Sequence, residues 1–111
     1  LQGNGGNDHL IGSESANGLS GGDGDDLLEG RGGNDSIAGG AGNDRIIGGL
    51  GDDILYGDSG ADTFVFAPGS GNDTITDFVQ AHDLIDITAY GFTTFGQVLA
   101  NATGLNGNTT I

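Results

Sequence analysis

Apolar residues recur every nine positions along the first two-thirds of the chain, and glycine, asparagine and aspartate dominate the positions between them. The period divides residues 3–76 into eight blocks that begin at residues 3, 12, 21, 30, 39, 48, 57 and 68, the last one after a two-residue insertion, Phe66-Ala67. Position eight is apolar in every block: Leu10, Leu19, Leu28, Ile37, Ile46, Leu55, Phe64 and Ile75. A register kept over so many blocks indicates a repeat architecture.

Each block is expected to form a turn followed by a short strand. The first six residues are rich in Gly, Asn and Asp, which accept the positive φ values of tight turns. The last three residues alternate, so that position eight points inward and positions seven and nine point outward. Two blocks make one coil, and coils stacked on each other bury the position-eight side chains in one core. The pattern therefore predicts an all-β, two-sheet β-solenoid in which alternate blocks share an edge.

Position six carries a second regular feature, an Asp or Asn in every block: Asp8, Asn17, Asp26, Asp35, Asp44, Asp53, Asp62 and Asp73. Odd-numbered blocks place theirs on one edge of the solenoid, the first edge, and even-numbered blocks on the second edge. The position-six side chains of successive turns on one edge are then about 4.8 Å apart. Two carboxylates at such a short distance remain ionised only if a cation lies between them. A gap lined by carboxylate and carbonyl oxygens suits Ca²⁺, which takes six to eight oxygen ligands.

Composition narrows the range of partners. The formal net charge is −14, which disfavours nucleic acid and anionic membrane surfaces. No apolar run reaches the about 20 residues of a membrane span, and the absence of cysteine excludes disulfides and Cys-type zinc sites. No catalytic motif is present, so we expect no enzymatic chemistry in this segment. Acidic, glycine-rich chains are often disordered, and the prediction of a fold therefore depends on the repeat register.

Three blocks carry a family resemblance. GGDGDDLLE, GGAGNDRII and GGLGDDILY resemble the repeat GGxGxDxUx, with U a large apolar residue, of the RTX (haemolysin-type) calcium-binding family. The resemblance covers residues 3–76 and implies a parallel β-roll with calcium between stacked turns. In this family one turn supplies its Asp and the carbonyls of positions two and four, and the next turn on that edge supplies its Asp and the carbonyls of positions one and three.

Carried onto this chain, the resemblance implies about five to six Ca²⁺ ions. The first edge would have three sites, formed by Asn4, Gly6, Asp8 with Gly21, Asp23, Asp26; by Gly22, Gly24, Asp26 with Gly39, Ala41, Asp44; and by Gly40, Gly42, Asp44 with Gly57, Ser59, Asp62. The second edge would have two, formed by Arg31, Gly33, Asp35 with Gly48, Leu50, Asp53 and by Gly49, Gly51, Asp53 with Pro68, Ser70, Asp73. A further site, formed by Ser13, Ser15, Asn17 with Gly30, Gly32, Asp35, is expected to be weak or empty because Asn17 brings no charge.

Residues 71–95 resemble the segment that follows the repeats in many secreted RTX proteins. We expect strands near 84–87 and 108–111 and a short helix around 94–101, so that residues 77–111 form a capping segment, itself truncated, on the roll of residues 3–76. Asp77, Asp83 and Asp86 are candidate ligands of one further calcium ion.

The expected function is calcium binding that folds and stabilises an extracellular module. The resemblance further implies a secreted or surface-located bacterial protein exported by type I secretion machinery. Two alternatives are that the chain is the non-catalytic tail of a secreted metalloprotease, lipase or alginate epimerase, or a repeat segment of an adhesin. A row of outward apolar residues would contact an adjacent domain of the same protein or the cap, unless it reflects β propensity alone: Ile11, Leu27, Ile47 and Val65.

Overall fold

A computed structural model describes residues 1–79, 81–87, 103–106 and 108–110. Their strands are β1 (His9–Ile11), β2 (Gly18–Asp23), β3 (Leu27–Glu29), β4 (Ser36–Ala41), β5 (Arg45–Ile47), β6 (Ile54–Ser59), β7 (Thr63–Val65), β8 (Thr74–Ile75), β9 (Leu84–Asp86), β10 (Thr103–Asn106) and β11 (Asn108–Thr110). The strands expected near 84–87 and 108–111 are confirmed as β9 and β11. The helix expected around 94–101 lies outside the described residues.

The strands form the two sheets of a parallel β-roll, which confirms the predicted fold. Strands β1, β3, β5, β7 and β9 follow one another in the first sheet, and β2, β4, β6 and β8 are parallel neighbours in the second. The second sheet ends in an antiparallel pair, because β11 runs against β8 and β10 runs against β11. Within the described residues, no helix is long and apolar enough to cross a membrane.

The nine-residue period sets the register of the sheets. Residues 18 positions apart are paired through the regular repeats, as for Leu10 with Leu28 and Ile37 with Leu55. After the insertion the spacing grows to 20 residues in the second sheet and to 21 in the first, where Phe64 pairs with Ile85. The insertion also adds a residue to the core, since Phe66 is buried.

The inward position-eight side chains make the core of the roll. Those of blocks two to eight are buried, and Leu10 in the first block is half-buried. At the C-terminal end the ring of Phe64 packs against that of Phe78, with 6.3 Å between the ring centroids. Burial of one apolar side chain per half-coil thus joins the coils into a continuous unit.

Three strands of the second sheet are longer than the pattern predicted. Strands β2, β4 and β6 include positions seven to nine of one block and positions one to three of the next. As a result, part of the first-edge turn pairs with the coil above it, as Gly22 does with Gly40 and Ala41 with Ser59. On this edge the turns are therefore joined by backbone hydrogen bonds as well as by side chains.

Positive φ at positions two and four gives the turns their shape. Among the described residues it occurs at both positions of every block except the second: Asn4, Gly6, Gly22, Gly24, Arg31, Gly33, Gly40, Gly42, Gly49, Gly51, Asp58, Gly60, Gly69 and Gly71. Block two has Ser13 and Ser15 there, without positive φ. Its turn therefore differs from the others.

Replacing Gly40 with alanine should destabilise the roll by about 1–3 kcal/mol. Gly40 has φ +97°, and an added Cβ would overlap the carbonyl oxygen of Gly22 in the turn below. Gly18→Ala is the matched control, because Gly18 lies in β2 and an added Cβ there meets no heavy atom within 4 Å. Urea unfolding at saturating calcium measures both variants. Equal unfolding midpoints would contradict the turn geometry described here.

Candidate metal centre

The position-six side chains stack in one column on each edge of the roll. In each column the backbone N–H of one residue donates to Oδ1 of the residue in the turn above. On the first edge these N–O distances are 2.8 Å for Asp8 to Asp26, 2.9 Å for Asp26 to Asp44 and 3.0 Å for Asp44 to Asp62. On the second edge they are 2.7 Å for Asn17 to Asp35, 2.8 Å for Asp35 to Asp53 and 2.9 Å for Asp53 to Asp73.

The second oxygen of these carboxylates, Oδ2, is buried and accepts no hydrogen bond. This holds for Asp8, Asp26, Asp35, Asp44, Asp53, Asp62 and Asp73. A buried, ionised oxygen without a partner is costly unless a positive charge compensates it. Two lines of such oxygens therefore fit the donor set of a series of bound cations.

Backbone carbonyls converge on the same positions. A Cβ added to Gly3 would lie 2.5 Å from both Asp8 Oδ2 and the carbonyl oxygen of Gly21. The equivalent atom on Gly30 would lie 2.5 Å from Asp35 Oδ2 and 2.6 Å from the carbonyl oxygen of Gly48. The aspartate of one turn and the position-one carbonyl of the next thus face each other, and glycine at position one leaves room between them.

The predicted carbonyl ligands of positions two and three lie where successive turns meet, and some already accept hydrogen bonds. Asn4 O accepts one from Asp23 N at 2.7 Å, and Arg31 O accepts one from Leu50 N at 2.6 Å. Ala41 O accepts one from Gly24 N at 3.0 Å. A carbonyl oxygen has two lone pairs, so each of these oxygens retains one for a cation.

Block eight keeps part of the regular stacking in spite of the insertion. An added Cβ on Gly71 would overlap the carbonyl oxygen of Gly51, as at the equivalent glycines of the other turns. Ser70 closes the inserted loop, since its hydroxyl donates to Ala67 O at 2.6 Å and accepts from Ala67 N at 2.9 Å. The turn that carries Pro68, Ser70 and Asp73 is therefore regular at positions four and six but not at positions one to three, where Ser70 N donates to Ala67 O at 3.0 Å and an added Cβ on Gly69 meets no carbonyl of the turn below.

Block two departs from the pattern, as its sequence suggested. Asn17 Oδ1 accepts hydrogen bonds from Ser13 N at 2.6 Å and from Ser13 Oγ at 3.2 Å. The amide oxygen is thus used within its own turn, unlike the free Oδ2 of the column aspartates. The carboxylate of Glu14 lies against Gly32 in the turn above. This turn is closed by its own side chains, and its gap with block four has the weakest donor set.

The candidate site of Asp77, Asp83 and Asp86 is wrong as a group of three, although the charges of Asp77 and Asp83 both act on Asp62. Both oxygens of Asp77 accept backbone N–H groups, from Gly57 and Asp58, at 2.8 Å. Asp86 lies 3.3 Å from the guanidinium of Arg45. In the part of the chain that the structure describes, no three His, Cys, Asp or Glu side chains group together as a metal site.

Asp83 instead extends the first-edge column by one turn. Its Oδ1 accepts from Asp62 N at 3.0 Å, the same bond that joins the lower turns. This ninth turn was not predicted from the nine-residue period, because Asp83 follows Asp62 by 21 residues instead of 18. The sequence HDLID contains the signal, because the apolar Ile85 follows Asp83 by two residues, as position eight follows position six in each block.

Position five forms a second ladder that the sequence analysis also missed. Asn7 Oδ1 accepts from Asp25 N at 2.9 Å, Asp25 Oδ1 from Asn43 N at 2.8 Å, and Asn43 Oδ1 from Ala61 N at 2.9 Å. The second edge repeats this arrangement with Asn34, Asp52 and Asn72. These bonds join the turns without any cation. The signal was an Asn or Asp at position five in six of the eight blocks.

Burial raises the pKa of the column carboxyls. The pKa of Asp44 is raised to about 6, and the pKa values of Asp62 and Asp73 are raised to about 7. Burial also raises the pKa of Asp35 and of Asp53. In most of these residues the negative charge of a column neighbour adds to the effect. At neutral pH the metal-free roll thus carries carboxylates that its interior disfavours.

We expect the metal-free chain to gain β structure on acidification. With raised pKa values the folded chain binds protons more tightly than the unfolded chain, whose aspartates titrate near 3.8. The destabilisation is absent below that pH, grows as pH rises, and is complete above about 7. Far-UV circular dichroism in excess chelator, from pH 7.5 down to 5, measures the effect. A β signal that falls on acidification would contradict it.

Two parallel sheets joined by glycine-rich turns, with a line of buried carboxylates along each edge, define a cation-binding β-roll. The family model of the RTX calcium-binding nonapeptide repeat (four copies) matches residues 2–37 and again 29–64, together more than half of the chain. The chain belongs to this family and contains a calcium-binding repeat module. A comparison with curated proteins found no match.

Proposed function

We propose that this module folds on binding calcium and stabilises an extracellular protein of which it is a part. The observation that carries the proposal is the set of buried Oδ2 atoms without hydrogen-bond partners in both columns. Without a cation these oxygens oppose folding, because their charge is taken out of water and they repel one another. With a cation they become ligands, and the free energy of binding contributes to folding.

The proposed sites are the three on the first edge and the two on the second edge given by the family pattern. Their shared members are Asp26 and Asp44 on the first edge and Asp53 on the second, each with a turn above and a turn below. Calcium would supply the positive charge between stacked carboxylates. The remaining ligands are backbone carbonyls, which glycine-rich turns expose at these positions.

Calcium concentration would then decide where the chain folds. Extracellular calcium modules have Kd values of about 10⁻⁴–10⁻³ M, so they are empty at cytosolic calcium and filled outside the cell. The net charge of −14 opposes compaction until the ions bind. Folding that depends on calcium in this way would suit a chain that type I secretion machinery exports unfolded and that folds outside the cell.

The parent protein is proposed to be a secreted enzyme with this module as its tail, or an adhesin. The outward row of sheet one is a candidate contact with an adjacent domain: Ile11 is exposed, and Leu27, Ile47 and Val65 are half-buried. The register makes Ile47 and Val65 direct neighbours, whereas Glu29 lies between Ile11 and Ile47, so the proposed contact would be centred on Ile47 and Val65.

The direct test is a calcium titration of the whole chain followed by far-UV circular dichroism. We expect a disordered spectrum in excess chelator at pH 7.5, a cooperative gain of β signal at millimolar or lower calcium, and reversal by chelator. Magnesium is the control, because its octahedral preference does not suit these carbonyl-rich turns. A chain that is equally folded in chelator and in calcium would refute the proposal.

A further inference from the structure

The last carboxylate that the family match covers, Asp62, is unpartnered on the side that faces the C-terminal segment. Its Oδ1 accepts from Asp44 N in the turn below at 3.0 Å. Its Oδ2 has no hydrogen-bond partner, and the residue is 0% exposed. The matched repeats end at residue 64, so the pattern assigns this oxygen to no site above block seven.

The direction of Asp62 Oδ2 follows from the turns below. At Gly21 an added Cβ would contact both Asp26 Oδ2 and the carbonyl oxygen of Gly39, which lies in the next turn up. Oδ2 of a column aspartate thus faces the gap above its own turn. The equivalent atom on Gly57 would contact Asp62 Oδ2, so this oxygen has the same place within its turn as Asp26 Oδ2, and by analogy it faces the gap below Asp83.

The turn that ends at Asp83 joins block seven through the hydrogen bonds that join the repeat blocks, although its own backbone is closed differently, since Val79 O accepts from His82 N at 3.2 Å and from Asp83 N at 2.8 Å. Asp62 N donates to Asp83 Oδ1 at 3.0 Å, and Leu84 N donates to Asp62 O at 2.8 Å. One turn lower, Asp44 N donates to Asp62 Oδ1 at 3.0 Å, and Thr63 N donates to Asp44 O at 2.8 Å. The two gaps therefore share the pair of hydrogen bonds that brackets the lower aspartate.

Block seven also presents its backbone in the shape of a ligand-bearing turn. Positions two and four are Asp58 and Gly60, with φ values of 64° and 105°. In the family pattern these two carbonyls accompany the aspartate of the lower turn. The second edge offers no such argument, because the turn above Asp73 falls outside the described residues.

We propose that the gap between the turns ending at Asp62 and at Asp83 binds one more calcium ion. Its ligands would be the two carboxylates and the carbonyls of Asp58 and Gly60. Asp83 also ends the column, because Val79 N donates to its Oδ2 at 2.9 Å and leaves no free oxygen facing upward. The ion would fasten β9 and the residues beyond it to the repeats. This inference rests on the proposed function.

Crystals of the full chain grown with calcium and soaked in Tb³⁺ test the inference on the unaltered protein. The anomalous difference map should contain a peak between Asp62 and Asp83 in addition to peaks between the repeat turns. Peaks between the repeat turns with none at this gap would overturn the inference and leave the proposed function intact. A map without a peak in any gap would overturn both.

Native mass spectrometry at saturating calcium gives a second test in solution. Asp83→Asn should bind one ion fewer than the unaltered chain. Asp86→Asn is the matched control, since it removes the same charge from the same short segment, at a carboxylate that faces Arg45. An Asp83→Asn chain that binds the full number of ions would overturn the inference.

Discussion

Asp44→Ala should raise the calcium concentration needed to fold the chain, and it should do so more than Asp73→Ala. Asp44 lies between two turns of the first column, so it is shared by the sites below and above it. Asp73 belongs to one predicted site, which it shares with Asp53. At a calcium concentration 100 times Kd each site stabilises the fold by about 2.7 kcal/mol. Asp44→Ala, which affects two sites, should therefore lower the free energy of unfolding by up to about 5 kcal/mol, and Asp73→Ala, which affects one site, by about 3 kcal/mol.

The calcium midpoint of each variant, followed by circular dichroism at pH 7.5, measures the difference. In excess chelator at pH 7.5 both variants and the unaltered chain are expected to be disordered. The loss is therefore expected only when calcium is present. If Asp73→Ala were the more damaging variant, the assignment of ligands to positions would be incorrect.

Phe64→Ala should destabilise the calcium-bound chain by about 3–5 kcal/mol. Phe64 is fully buried and contacts the ring of Phe78, so the alanine leaves a cavity where the repeats meet the C-terminal segment. Ile54→Ala is the control, because Ile54 is 45% exposed on the outer face of the second sheet. Urea unfolding at saturating calcium compares the two. Similar losses for both variants would mean that the core is not where the structure places it.

The core and the two columns could be predicted because each depends on a single position of a strict period. One apolar residue at position eight fixes which side of each strand faces inward, and this fixes the coil of two blocks. The coil then places Asp8, Asp26 and Asp44 on one edge, whatever the details of the turn. The departure of block two could also be seen, since Ser13 and Ser15 stand where positive φ is needed.

The rest depends on contacts between coils, which a period does not encode. Strands β2, β4 and β6 extend because Gly22 and its equivalents pair with the coil above. The ladder of Asn7, Asp25 and Asn43 depends on which backbone N–H each side chain reaches. The ninth turn was hidden because Asp83 follows Asp62 by 21 residues instead of 18, and the antiparallel pair of β10 and β11 follows no repeat.

The two ladders along each edge run in opposite directions. At position five a side chain accepts from the turn above, as Asn7 does from Asp25, and at position six a side chain accepts from the turn below, as Asp26 does from Asp8. Neither ladder alone fixes the tilt of a turn, but the pair holds each turn against its neighbour at two opposed points. Under a pulling force a coil should therefore detach as a whole, and each detached coil of 18 residues releases about 60 Å of chain. The regular coils should then extend in steps of equal length, and the coils after the insertion, with 20 or 21 residues, in longer ones.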